Sequence, residues 1–80
     1  MKPIDWRLAQ NLTLDEAARR AGVVGVNPGR TYQRYENGRR PAPASVVEGV
    51  HRASAGAVGP SDWHKVRLEF LGFPSEERAA

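Results

Sequence analysis

Helix breakers recur along this chain at helix-length intervals, and that spacing constrains its fold more than any other feature. Pro3, Gly22, Pro28, Gly38, Pro41, Pro43, Pro60, Gly72 and Pro74 divide the 80 residues into short segments. Proline in a helix interior costs about 3 kcal/mol, so each of these prolines belongs at a first turn or in a connector. No convincing strand-like alternation runs between the breakers. The expectation is an all-α fold, a compact bundle of about five short helices containing a helix-turn-helix.

A first helix is expected from Pro3 to Gln10, with proline suited to the first helical position. Ile4, Leu8 and Leu12 recur every four residues and define an apolar stripe. Thr13-Leu14-Asp15-Glu16 is a capping box, in which the threonine hydroxyl accepts from the Glu16 amide and the Glu16 carboxylate reaches back to the Thr13 amide. Helix two follows through Ala21, built on the small residues Ala17, Ala18 and Ala21, and Gly22 stops it. Pro28 opens helix three with Asn27 as its cap, and the helix ends at Asn37 with Gly38 as a left-handed terminator. Arg39 to Pro43 reads as a stiff extended connector. Helix four spans Ala44 to Ser54, with Val46, Val47 and Val50 inward and Gly49 weakening it locally. After a loop from Ala55 to Gly59, Pro60 opens helix five, where Trp63, Val66 and Phe70 share a face beside Leu71. The domain is expected to occupy residues 1–73, with residues 74–80 as a flexible tail.

The net charge of +3 comes entirely from the middle of the chain. Residues 17–47 hold Arg19, Arg20, Arg30, Arg34, Arg39 and Arg40 against Glu36 alone, a local balance of +5, while residues 1–16 and 48–80 each carry −1. Scattered surface charge would not leave both flanks slightly acidic. Arginine concentrated on one segment of a small domain is the electrostatic footprint of a nucleic-acid reader.

Two short helices joined by a turn, each opened by a capping residue, have the sequence shape of a helix-turn-helix. Leu12 to Ala18, then Gly22-Val23, then Thr31-Tyr32-Gln33-Arg34-Tyr35-Glu36-Asn37-Gly38-Arg39-Arg40-Pro41 resemble the Cro/lambda-repressor-like helix-turn-helix family, also called the XRE family. The resemblance covers roughly residues 4–55. Its most specific part is the aromatic-Glu-Asn-Gly run followed by basic residues and proline. It implies that the recognition helix ends there, with Tyr32 at its buried apolar position and Tyr35 at the aromatic or aliphatic position before the glutamate. It also implies that Arg30 and Arg34 meet base edges, with Thr31 and Gln33 as neighbours. Two departures stand out. The family places about nine residues between the glycine ending helix two and that aromatic, whereas Gly22 and Tyr35 are thirteen apart, so Val23 to Asn27 makes an enlarged turn. Leu14 stands where the family often has a polar residue touching a phosphate, so that contact is missing.

The same residues carry the chemistry without a family name. Arginine is bidentate to the O6/N7 edge of guanine, so arginines four apart on one helical face reach two nearby base pairs. Asn27, Pro28 and Gly29 present a helix N-terminus whose amides and dipole favour a phosphate. Arg39 and Arg40 on the connector, and Arg19 on helix two, suit phosphates flanking the groove. Tyr32 and Tyr35 are read as core residues rather than base-stacking platforms, and Trp6 and Trp63 as packing or subunit contacts.

Enzyme chemistry is not expected. His51 and His64 stand alone, and Gly22-Val23-Val24-Gly25 lacks the lysine and serine of a phosphate loop. The chain has no cysteine for a disulfide or a thiolate metal site. No cofactor or metal is expected. The apolar runs are too short to cross a bilayer, nothing at the start resembles a secretion signal, and a cytoplasmic location is expected. The function that follows is a sequence-specific, double-stranded-DNA-binding transcriptional regulator of phage-repressor type. The alternatives are a DNA-recognition subunit working with phage packaging or excision machinery, and an antitoxin-like protein-interaction module. A homodimer is expected, since one recognition helix covers too few base pairs to select a genomic site. Trp63, Val66, Phe70 and Leu71, with Phe73, are the candidate dimer or core contacts, because they exceed what one short helix needs to cover a core.

Overall fold

Three helices of this chain open on proline, whose preset φ starts a helix and whose missing N–H is not needed there. The computed structural model describes residues 1–73, so the expected tail at 74–80 lies outside the described residues. The element order is α1 (Pro3–Ala9), α2 (Leu14–Arg20), α3 (Pro28–Glu36), α4 (Ala44–Ala53) and α5 (Pro60–Leu71). The described chain is an all-α bundle, and its helix ends fall within one residue of the positions read from the breakers. Among the described residues no helix is long and apolar enough to cross a membrane.

The capping box forms as its spacing requires. The Glu16 amide donates to Thr13 Oγ1 at 3.1 Å, and the Thr13 amide donates to Glu16 Oε1 at 3.0 Å. The Thr13 backbone and hydroxyl together hold the Glu16 carboxyl below the usual carboxylate range. Asn27 does not cap α3. Its backbone (φ −139°, ψ 72°) lies away from the extended geometry of a capping residue, and its side chain makes no cap hydrogen bond. Helix α3 therefore starts on Pro28 alone.

Tyr32 sits at the centre of the core, fully buried. Trp63 meets its ring edge-on at 6.3 Å and 88°, a pairing worth about 0.5–1.5 kcal/mol beyond area burial. Around them pack Trp6, Leu12, Ala17, Ala18, Ala21, Val46, Val50 and Val58. The alanines of α2 give α3 and α4 room to approach closely. Gly49 proves to be a packing requirement rather than a weak point, since a Cβ there would lie 2.6 Å from the Ala21 carbonyl oxygen.

Two expectations about the core fail. Ile4 and Leu8 are 39% and 57% exposed, and α1 turns Pro3 and Trp6 inward instead. A seven-residue helix cannot bury both faces, and the face carrying Trp6 is the one that packs on the core. Val58, in the stretch read as a plain loop, is fully buried, its amide donating to Ser54 Oγ at 3.1 Å. Of the candidate dimer or core contacts on α5, Trp63 and Val66 are buried in the core, while Phe70 and Leu71 each remain 50% exposed. Phe70 Cβ lies against Gly38 just past the end of α3, and the Arg67 guanidinium stands over the Phe70 ring at 6.0 Å from its centroid.

Candidate nucleic-acid interface

Two guanidinium groups anchor the C-terminal end of helix α3 and the connector that follows it. Arg7 Nε donates to both carboxylate oxygens of Glu36, at 2.9 and 3.1 Å, and Arg7 Nη1 donates to the Leu12 carbonyl at 3.1 Å. The two side chains are only 15% and 4% exposed, so this is a buried pair tying α1, the turn into α2 and the last turn of α3 together. Hydrogen bonding to Glu36 pushes the Arg7 pKa up, against the opposing effect of burial. Just beyond α3, Arg67 Nη1 donates to the carbonyls of Gly38 and Arg39 at 2.7 and 3.0 Å, which ties the connector to α5. The Tyr32 hydroxyl feels the Glu36 charge without a hydrogen bond of proper geometry. Burial first, and that charge second, push its pKa up.

These anchors decide which side of α3 faces outward. Gly29, Tyr32 and Glu36 are buried, spaced three and four residues apart along one face. Arg30 and Gln33 are exposed, and Thr31 and Arg34 are half-buried. Arg30 and Arg34, four apart, therefore share the outer side. Past the helix, the Arg39 amide donates to Asn37 Oδ1 and the Arg40 amide to the Arg34 carbonyl, both at 3.1 Å. Arg39 and Arg40 are exposed on a connector that these bonds and Arg67 hold in place.

The expected anion site at the start of α3 does not survive intact. Asn27 is exposed, but Gly29 is buried against α2, where a Cβ would overlap the Asp15 carboxylate and come within 3.2 Å of the Asp15 amide. Gly29 is thus glycine so that two helices can approach, and little of it reaches the surface. Asn27, Gly29, Arg30 and Gln33 share a shallow depression with Thr13 at the cap of α2 and with Leu14 and Asp15 in its first turn. Arg19 is exposed and lines two other depressions, one with Val26, Asn27 and Pro28 and one with Arg20 and Arg52 beyond the end of α2. In the enlarged turn, Val23 packs half-buried against the core while Val24 and Val26 stand in solvent.

Arg7, Arg67 and Asp15 escaped the sequence reading. Arg7 and Arg67 act on groups 28 or 29 residues away, a separation to which no helical spacing rule applies. Asp15 was absorbed into the capping box. As a whole the face offers guanidinium and amide donors on a convex helix beside one shallow depression, suited to the edge of a large polyanion rather than to an enclosed small molecule. No protein-family model, curated protein or solved structure matches the chain.

Proposed function

We propose that this chain is a sequence-specific double-stranded-DNA-binding regulator of phage-repressor type, in which α3 lies in the major groove. The observation that carries this reading is the outer face of α3: Arg30 and Arg34 point away from the buried Tyr32 and Glu36, exposed Gln33 flanks them beside α2, and exposed Arg39 and Arg40 follow on the connector. Arginine at this spacing suits guanine edges, and the clamped connector suits flanking phosphates. The resemblance to Cro/lambda-repressor-like proteins leads to the same assignment from the motif side.

Selection from random duplex DNA, followed by fluorescence anisotropy across salt concentrations, tests it. Each phosphate neutralised should add about −0.9 to the slope of log affinity against log salt. Arg34→Ala should lose about 1–3 kcal/mol on the selected site and relax base preference there. Arg39→Ala and Arg40→Ala should weaken all duplexes alike and flatten the salt slope. A flat salt response, or tighter binding to single strands, overturns the reading.

Two copies acting together would give the selectivity that one helix lacks. The exposed end of α5, with Phe70, Leu71 and Phe73 each at least half uncovered, is the surface proposed for that contact. A two-fold pair would set recognition helices about 34 Å apart and demand an inverted repeat. Phe70→Glu is expected to give a folded monomer with weakened binding to the selected site. Sedimentation of the wild type as a monomer, both free and on a site without dyad symmetry, ends the dimer proposal.

A further inference from the structure

One carboxylate in the first turn of α2 stands beside the arginine-rich face, and no hydrogen bond or ion pair among the described residues holds it there. Glu16 closes the capping box, whereas Asp15, its neighbour, makes no hydrogen bond or ion pair among the described residues. It is exposed on α2, yet its side chain reaches across to α3 and fills the space that a side chain at Gly29 would occupy. Gly29 lies in the first turn of α3 on the face packed against α2, and its lack of a side chain leaves room for the Asp15 carboxylate beside that turn. The shallow depression where this happens is shared with Arg30 and Gln33.

We propose that Asp15 reads a base, its carboxylate accepting the N4 amino hydrogen of a cytosine in the major groove. This rests on the DNA-binding reading above. A carboxylate has only acceptors, so it is repelled by guanine O6/N7 and thymine O4. Adenine offers an amino group but sets the N7 acceptor beside it, whereas cytosine presents a donor without a neighbouring acceptor. The paired guanine then turns its O6/N7 edge toward the same depression, where Arg30 is available to it. Asp15 therefore favours a C·G pair and penalises the other three.

The proposal has a signature that a purely structural role would not produce. Removing a negative charge from a DNA-facing surface strengthens contact with any duplex, while losing a reader weakens discrimination. Asp15→Asn should therefore bind a random-sequence duplex more tightly than wild type. At one position of the selected site, its preference for C·G over the other pairs should fall by about 5- to 150-fold. Anisotropy on the selected duplex, its single-pair variants and a random duplex measures both quantities, and thermal melting shows that the variant is folded. If Asp15→Asn shifts all duplexes by the same factor and leaves every preference intact, Asp15 acts only on helix-end electrostatics and this inference falls alone. If the wild type binds no duplex selectively, the DNA-binding reading falls with it.

Discussion

Arg7→Met is expected to be the most damaging single substitution on this chain, costing about 3–5 kcal/mol in chemical denaturation. The reason is the carboxylate it abandons. Glu36 is 4% exposed and takes both of its hydrogen bonds from Arg7 Nε, so methionine leaves a buried charge without a partner. The same change releases the Leu12 carbonyl from Arg7 Nη1. Small domains have total stabilities of about 5–15 kcal/mol, so the variant should be close to unfolding at ordinary temperature. Replacing both partners, as Arg7→Met with Glu36→Gln, should recover much of the loss, because no uncompensated charge remains. A loss below 1 kcal/mol for Arg7→Met would mean that the pair behaves as a solvent-screened surface contact.

Gly38→Ala is expected to cost about 2–5 kcal/mol, from two separable causes. Gly38 has φ +81°, a left-handed conformation that costs an L-residue about 1–2 kcal/mol. It also faces α5 without clearance. An added Cβ would sit 2.5 Å from the Val66 carbonyl oxygen and 2.9 Å from Phe70 Cβ, so α5 would have to move away from α3. That displacement would strain the Arg67 bonds to Gly38 and Arg39 that hold the connector. Gly72→Ala separates the causes, because Gly72 has φ +86° with nothing within 4 Å of a Cβ. It should show the conformational cost alone. If the two alanine variants lose equal stability, the close approach of α5 to the end of α3 contributes nothing.

How much of this was legible in the chain follows from how far apart the interacting groups lie. Pro28 and Gly38 bound α3, and Thr13 and Glu16 start α2, because each signal works within one helical turn. The +5 segment needed no fold to be recognised, since charge is additive along the sequence. The alanines of α2 were readable as a packing face, because small side chains have few other uses at helical spacing. By contrast, α1 spans two turns, too short for periodicity to choose between the Ile4–Leu8 stripe and Trp6.

Tertiary structure decided the rest. The Arg7–Glu36 pair, Arg67 at Gly38, Asp15 in the place of a Gly29 side chain and the burial of Val58 all depend on where distant segments come to lie. The order of helices along the chain limits such contacts without specifying them. Their geometry emerges only when Tyr32 and Trp63 are packed and the segments around them are brought together. The sequence by itself therefore determined that this is a helical, centrally basic chain and where its helices start and stop, since those properties come from local backbone chemistry and summed charge. Only the fold decided what locks α3 in place and which carboxylate stands beside its arginines, because each depends on contacts between segments that lie far apart in the chain.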